Sequence, residues 1–231
     1  MPRITALAGL MLCVVACGGT PSASSIPTAG SSSAATAAPS VTSTTAALSA
    51  PPSATASTAG GYSTRAFGTP IDFVVPAFVP AEPAEESNHF MTWVADDNTV
   101  AIRFLQPVVV YTPGSSTTSS VPPDYVGYLL GQTDHGATFA DRADITVDGH
   151  KTTVVTATTG QSIDGSLGCP DTDITADDCF GLQPEFSLRL AVVATDSGPL
   201  LIWLRTGAEV TDDVAAAKDR FEQVLAGVRF R

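Results

Sequence analysis

Phe186-Ser187-Leu188-Arg189-Leu190-Ala191-Val192-Val193-Ala194-Thr195 leads into Asp196-Ser197-Gly198-Pro199, and Leu200-Leu201-Ile202-Trp203-Leu204-Arg205-Thr206 follows. Two apolar, β-forming runs flank a cluster of turn formers, which predicts an antiparallel hairpin. Arg189 and Arg205 then sit on its strands. A hairpin this apolar needs a cover, and the rest of the chain supplies candidates.

Two further hairpins lie upstream. Phe90 to Val94 and Thr99 to Leu105 flank the turn Asp96-Asp97-Asn98. Val100, Ile102 and Phe104 alternate there with Ala101, Arg103 and Leu105, which predicts one clearly buried face. Asp144 to Val147 and His150 to Thr158 flank Asp148-Gly149. Asp-Gly between β-rich runs is a strong short-range hairpin signal, because both residues tolerate positive φ. Ile71 to Phe78 is broken by Pro76 and reads as an edge strand. Val108 to Tyr111 continues as a strand after Pro107, and Thr112 to Val121 reads as a polar loop.

Two helices complete the pattern. Pro122-Pro123-Asp124 opens a short one over Tyr125 to Leu130, closed by Gly131, with Val126, Leu129 and Leu130 on one face. The last runs from Asp212 to Gly227. Thr211 is its N-cap, and Asp212 and Asp213 suit the positive end of the dipole. Val214, Ala217, Phe221, Val224, Leu225 and Val228 recur at helical spacing, so this helix packs on the sheet. The fold class is α+β: an antiparallel sheet of hairpins, covered by a C-terminal amphipathic helix and a short central one.

The order of three hairpins, a short helix among them and a terminal helix ending at Val228-Arg229-Phe230 resembles exported actinobacterial lipoproteins of the LpqN type. The Val147-Asp148-Gly149 turn and the C-terminal helix are its best points. The resemblance implies a PsbP/Mog1-like domain and an envelope-associated role, and it brings no catalytic motif. The cysteine-bounded loop near residue 170 departs from that pattern.

The N-terminal quarter has another character. Ile4 to Ala16 is almost wholly apolar and follows Arg3. It is shorter than the roughly 20 residues a spanning helix needs and suits a signal-peptide core. Val14-Val15-Ala16-Cys17 reads as a lipobox, in which Cys17 receives lipid and becomes the mature N-terminus. The alternative is an ordinary secretory signal cut elsewhere. All of residues 18–66 are Gly, Ala, Ser, Thr or Pro, except Ile26, Val41, Leu48, Tyr62 and Arg65. Such a segment buries too little surface to offset its ordering entropy, and reads as a disordered spacer spanning about 35–40 Å. The expected organisation is a signal peptide over 1–16, a lipidated and disordered linker over 17–66, and one globular domain over 67–231. The expected location is the outer face of the bacterial cytoplasmic membrane.

That domain carries all 23 Asp and Glu but only nine of the 11 Lys and Arg, a formal charge of −14. This argues against a nucleic-acid partner or an anionic bilayer surface. With Cys13 in the signal and Cys17 lipidated, Cys169 and Cys179 remain. In an exported chain they are expected to pair. The alternatives are free thiols or half a zinc site, which lacks two ligands at suitable spacing.

Between them Asp171, Asp173, Asp177 and Asp178 offer carboxylates for calcium. The glycine and terminal glutamate of an EF-hand loop are missing, so a solvated acidic face is the expectation. His89, His135 and His150 fall in no metal or nucleophile motif. Ser166 lies in Gly165-Ser166-Leu167-Gly168, which has the wrong spacing for a nucleophile elbow. Tyr125, Tyr128, Trp93 and Trp203 are expected in the core rather than lining a pocket. The residues therefore point to a non-catalytic binding module, with no metal or cofactor, for an envelope ligand or protein. An exported hydrolase with a site built from dispersed residues is the alternative.

Overall fold

The computed structural model describes residues 61–64, 67–95, 98, 100–207 and 214–231. The signal segment, Cys17, the linker up to residue 60 and the Thr211 cap lie outside the described residues.

The centre is a seven-stranded antiparallel sheet. In chain order its strands are β3 (Glu85–Glu86), β4 (Phe90–Val94), β5 (Val100–Leu105), β8 (Ala137–Val147), β9 (His150–Thr159), β12 (Phe186–Thr195) and β13 (Gly198–Gly207). Their spatial order is β3-β4-β5-β13-β12-β9-β8. All three expected hairpins are present. β12 and β13 pair without interruption from Phe186↔Gly207 to Thr195↔Gly198, so the turn is Asp196-Ser197 alone and Pro199 pairs with Ala194. β8 and β9 close at Val147↔His150 across Asp148 and Gly149, both at positive φ (45° and 89°), as a two-residue hairpin turn requires.

Shorter elements cover the two faces. β1 (Gly61–Thr64), β2 (Ile71–Val74) and β14 (Val228–Phe230) form a three-stranded sheet, and α2 spans Val214–Ala226. Together they cover one face. Phe73, Trp93, Phe104, Ile202, Phe221 and Val224 lie in that core. β6 (Val109–Tyr111), β7 (Thr118–Ser120), α1 (Tyr125–Gly131), β10 (Ile163–Gly168) and β11 (Phe180–Leu182) lie over the other face. Leu105, Tyr125, Leu129, Leu167, Leu190 and Trp203 fill that second core. The ends of the chain thus clothe one side of the sheet and its internal excursions the other.

This three-layer arrangement corrects several expectations. β5 is buried on both faces: Ala101 and Leu105 are as fully enclosed as Ile102 and Phe104. β2 is the middle strand of its small sheet, with β1 and β14 on either side. Pro76 lies beyond the end of β2 and removes no ladder hydrogen bond. The polar stretch after Tyr111 contains β7, which folds back on β6.

Order also begins before Phe67. β1 pairs with β2 from Gly61↔Val74 to Thr64↔Ile71. The Tyr62 ring stands edge-on to Trp93 at 5.3 Å, its hydroxyl donates to Glu86, and Thr64 is buried. Burial, then the hydrogen bond to Glu86, pushes the Tyr62 hydroxyl up to about 12. Four residues expected in the linker are therefore part of the domain. A chain starting at Phe67 is expected to lose about 1–2 kcal/mol against one starting at Gly61, from the ring pair and the strand contacts. Urea midpoints compare the two, and equal midpoints would return the boundary to Phe67.

Candidate functional site

The covering of the second face is incomplete. α1, β10 and β11 leave the sheet uncovered near the turn ends of β8, β9 and β12. A groove of about 930 Å³ opens there. Its floor follows from the register: Val192 pairs with Thr153, and Thr153 with Asp144, so these side chains share the face of Val155 and Leu190. One step along, Lys151 pairs with Thr146.

One wall is the start of α1. Pro122 and Pro123 stiffen the approach, and the Asp124 carboxylate caps the helix by accepting from the Gly127 amide at 2.9 Å. Tyr125 and Tyr128 hold the helix down. Their hydroxyls donate to the Leu167 carbonyl (2.9 Å) and the Tyr111 carbonyl (3.0 Å). Burial raises both phenols, Tyr128 to about 12, so both remain donors at neutral pH. Pro107 and Val108 also line the groove, with Ser197 of the β12–β13 turn and Gly198 and Pro199 at the start of β13.

Four prolines and four valines line the groove, and as many polar or charged residues, among them Asp144, Lys151 and Thr153. The Thr153 hydroxyl donates to Asp144 at 2.7 Å, and Arg142 stands 3.9 Å from the same carboxylate. The core expectation for the aromatics holds, and one of them, the buried Tyr125, also lines the groove. Tyr125 lines the groove, Trp93 and Trp203 are core residues of opposite faces, and Tyr128 packs at the margin of the second core.

The other singled-out residues are dispersed. Cys169 and Cys179 form a disulfide with Cα atoms 4.6 Å apart. Cys169 is fully buried and exchanges backbone hydrogen bonds with Val108 and Val109 at 2.8 Å. Within the loop, Asp171 accepts from the Thr172 amide (2.6 Å) and Asp178 from the Thr175 hydroxyl (2.7 Å). Among the described residues no group of three or more His, Cys, Asp or Glu gathers at metal-holding distance.

Ser166 is fully buried, and its hydroxyl donates to the Ile163 carbonyl at 2.6 Å. Its flanking glycines serve the backbone. Gly168 has φ 100°, and a Cβ there would come within 2.6 Å of Pro107. His150 Nδ1 lies 3.0 Å from the Ala194 carbonyl, with its ring against Phe230. His135 shares a second, polar depression of about 420 Å³ with Asp164 and Asp177. No hydrogen bond joins that imidazole to either carboxylate among the described residues. The groove itself gave no signal in sequence beyond the Pro122-Pro123 pair and the threonines of β9.

No family model matches the chain, and no curated protein matches it. Among solved structures it is similar to cyanobacterial PsbP from Synechocystis sp. PCC 6803, at 14% identity and TM-score 0.42, over 80% of this chain and 99% of that one. It is similar to a mutant form of Mog1, at 12% identity and TM-score 0.37, over 74% and 95%. A third is the protein PA94 of Pseudomonas aeruginosa, at 13% identity and TM-score 0.36, over 67% and 88%. The likeness is to the α+β layout, and no residue role follows from it.

Proposed function

We propose that this chain is a lipid-anchored binding module of the bacterial cell envelope, of the LpqN type, whose groove beside α1 holds a ligand with an apolar body and polar substituents. The carrying observation is the lining of that groove. Pro107, Pro122, Pro123 and Pro199 give it stiff apolar walls, and Val192 its apolar floor. Apolar walls beside placed threonine, lysine and aspartate side chains suit a ligand with an apolar body and polar substituents. Its one floor carboxylate, Asp144, is already held by Thr153 and Arg142. That supports binding over acid–base chemistry. The location rests on the Val14-Val15-Ala16-Cys17 lipobox and the apolar segment before it.

Both halves are testable. Thr153→Trp places a large ring on the groove floor. Nile red, an uncharged apolar dye, is expected to bind the wild type saturably at one site and the variant at least about tenfold more weakly, the 1.4 kcal/mol of a few lost apolar contacts. Equal binding to both proteins would sink the groove reading. Cys17→Ala is expected to move the chain from the membrane to the soluble fraction. Mass spectrometry of a native N-terminus that is unlipidated and begins elsewhere would end the anchor reading.

A further inference from the structure

On the groove's side of the central sheet, but on strands β4, β5 and β13, lies a second constellation. Thr92 pairs with Arg103, and Arg103 with Trp203; Arg205 lies two residues beyond Trp203 on the same strand. Thr92, Arg103, Trp203 and Arg205 therefore share one face, and the two arginines are diagonal cross-strand neighbours. Side chains this long reach a common point from such positions.

Each guanidinium is laid on an aromatic ring. Arg103 Cζ lies 5.4 Å from the Phe180 centroid, and Arg205 Cζ lies 4.3 Å from the Phe186 centroid. A ring satisfies the face of a guanidinium and leaves its in-plane N–H donors unspent. Arg205 spends one nitrogen on Asn98, at 3.0 Å to the side-chain oxygen and 3.3 Å to the carbonyl. Arg103 makes no hydrogen bond and no ion pair among the described residues. Among the described residues, Arg103 Nε, Arg205 Nε and the Thr92 hydroxyl are all buried without a partner, and Thr92 is 2% exposed. Buried polar atoms are normally paired, so three orphans in one patch ask for an acceptor. Burial also holds both guanidinium groups below the usual arginine range, and for Arg103 the charge of Arg205 adds to it. Glu85 is the described carboxylate in the same cross-strand row, and it forms no ion pair with Arg103 among the described residues.

We propose that Arg103 and Arg205, with the Thr92 hydroxyl, bind a phosphate-class dianion between them. Two adjacent positive charges match the −1.5 to −2 that a phosphate group carries near pH 7, and a guanidinium fork fits phosphate oxygens two at a time. The domain's charge of −14 repels an anionic bilayer, so the ligand is a soluble phosphate or phosphate ester.

Isothermal titration calorimetry of the full chain with inorganic phosphate, at constant ionic strength, tests this. One saturable site is expected, with sulfate competing. Arg103→Gln and Arg205→Gln should each weaken it at least about tenfold, as loss of a charge-assisted fork does. Arg103→Lys should fall between, and Arg189→Gln should leave it unchanged. Should the Gln variants fail to fold, the Nε–Hε resonances of two arginines in the wild type are expected to shift on adding phosphate. No saturable binding, or binding that survives both Gln variants, overturns the proposal. Recruitment to phosphatidic acid–phosphatidylcholine vesicles without any response to inorganic phosphate overturns the soluble ligand.

Discussion

Trp93→Ala is expected to cost about 3–5 kcal/mol, the range for truncating a buried tryptophan. Domains of this size hold only about 5–15 kcal/mol in all, so the variant should be marginal. Trp93 is fully enclosed, and its ring meets Tyr62 of β1 at 5.3 Å, Phe73 of β2 at 5.1 Å and Phe104 of β5 at 5.8 Å. With the Phe73–Phe104 pair at 4.9 Å, it seats the small sheet on the large one. Among the described residues its indole nitrogen has no hydrogen-bond partner, so the ring's packing carries the energy. Trp93→Phe keeps most of that packing and discards the unpaired N–H, and should cost less than half as much. Urea unfolding at fixed pH measures both. Equal losses in the two variants would show that the indole nitrogen, and not the ring contacts, was what mattered.

Reducing the Cys169–Cys179 bond is expected to cost about 3 kcal/mol, the loop-entropy value for a closed loop this short. The bond's position adds a local consequence. Cys169 is tied to β6 through Val108 and Val109. Cys179 precedes Phe180, whose ring packs against Phe90 and Trp203 at 5.5 Å. Opening the bond frees the segment that delivers Phe180. Non-reducing peptide mapping should show the linked pair, and Cys169→Ala/Cys179→Ala should unfold at lower urea. A double variant as stable as the wild type would mean that the segment is held by Phe180 and its neighbours alone.

The hairpins and the terminal helix were legible in the sequence because each carries its own local signal. Asp148-Gly149 demands positive φ, and Phe221, Val224 and Leu225 keep helical spacing. What was not legible depended on partners far along the chain. Nothing in Gly61-Tyr62-Ser63-Thr64 announces a strand, and its pairing is decided by β2 and by Trp93. Ile71–Val74 looked like an edge because Pro76 is close, and the neighbour that makes it central comes from residues 228–230. The groove is a gap between coverings, so no residue type marks it. Arg103 and Arg205 were placed on strands by alternation, but their adjacency required knowing that β13 leaves its hairpin partner on one side and takes β5 on the other. The disulfide was reached by counting cysteines, which needs no fold.

The way β1 joins the domain has a mechanical consequence. Gly61, the first residue of β1, pairs with Val74, the last of β2, and β2 is held along its other edge by β14. Phe230 and the C-terminus lie at the Ile71 end of β2, so tension between the chain before Gly61 and the C-terminus runs along the strands and loads the β1–β2 rungs in shear. β1 would come away and release about 13 Å of slack at the usual strand rise. A chain tugged between its two ends thus meets a four-residue clasp first, braced by Tyr62 on Trp93 and Glu86, and single-molecule extension should show one short step ahead of the main rupture.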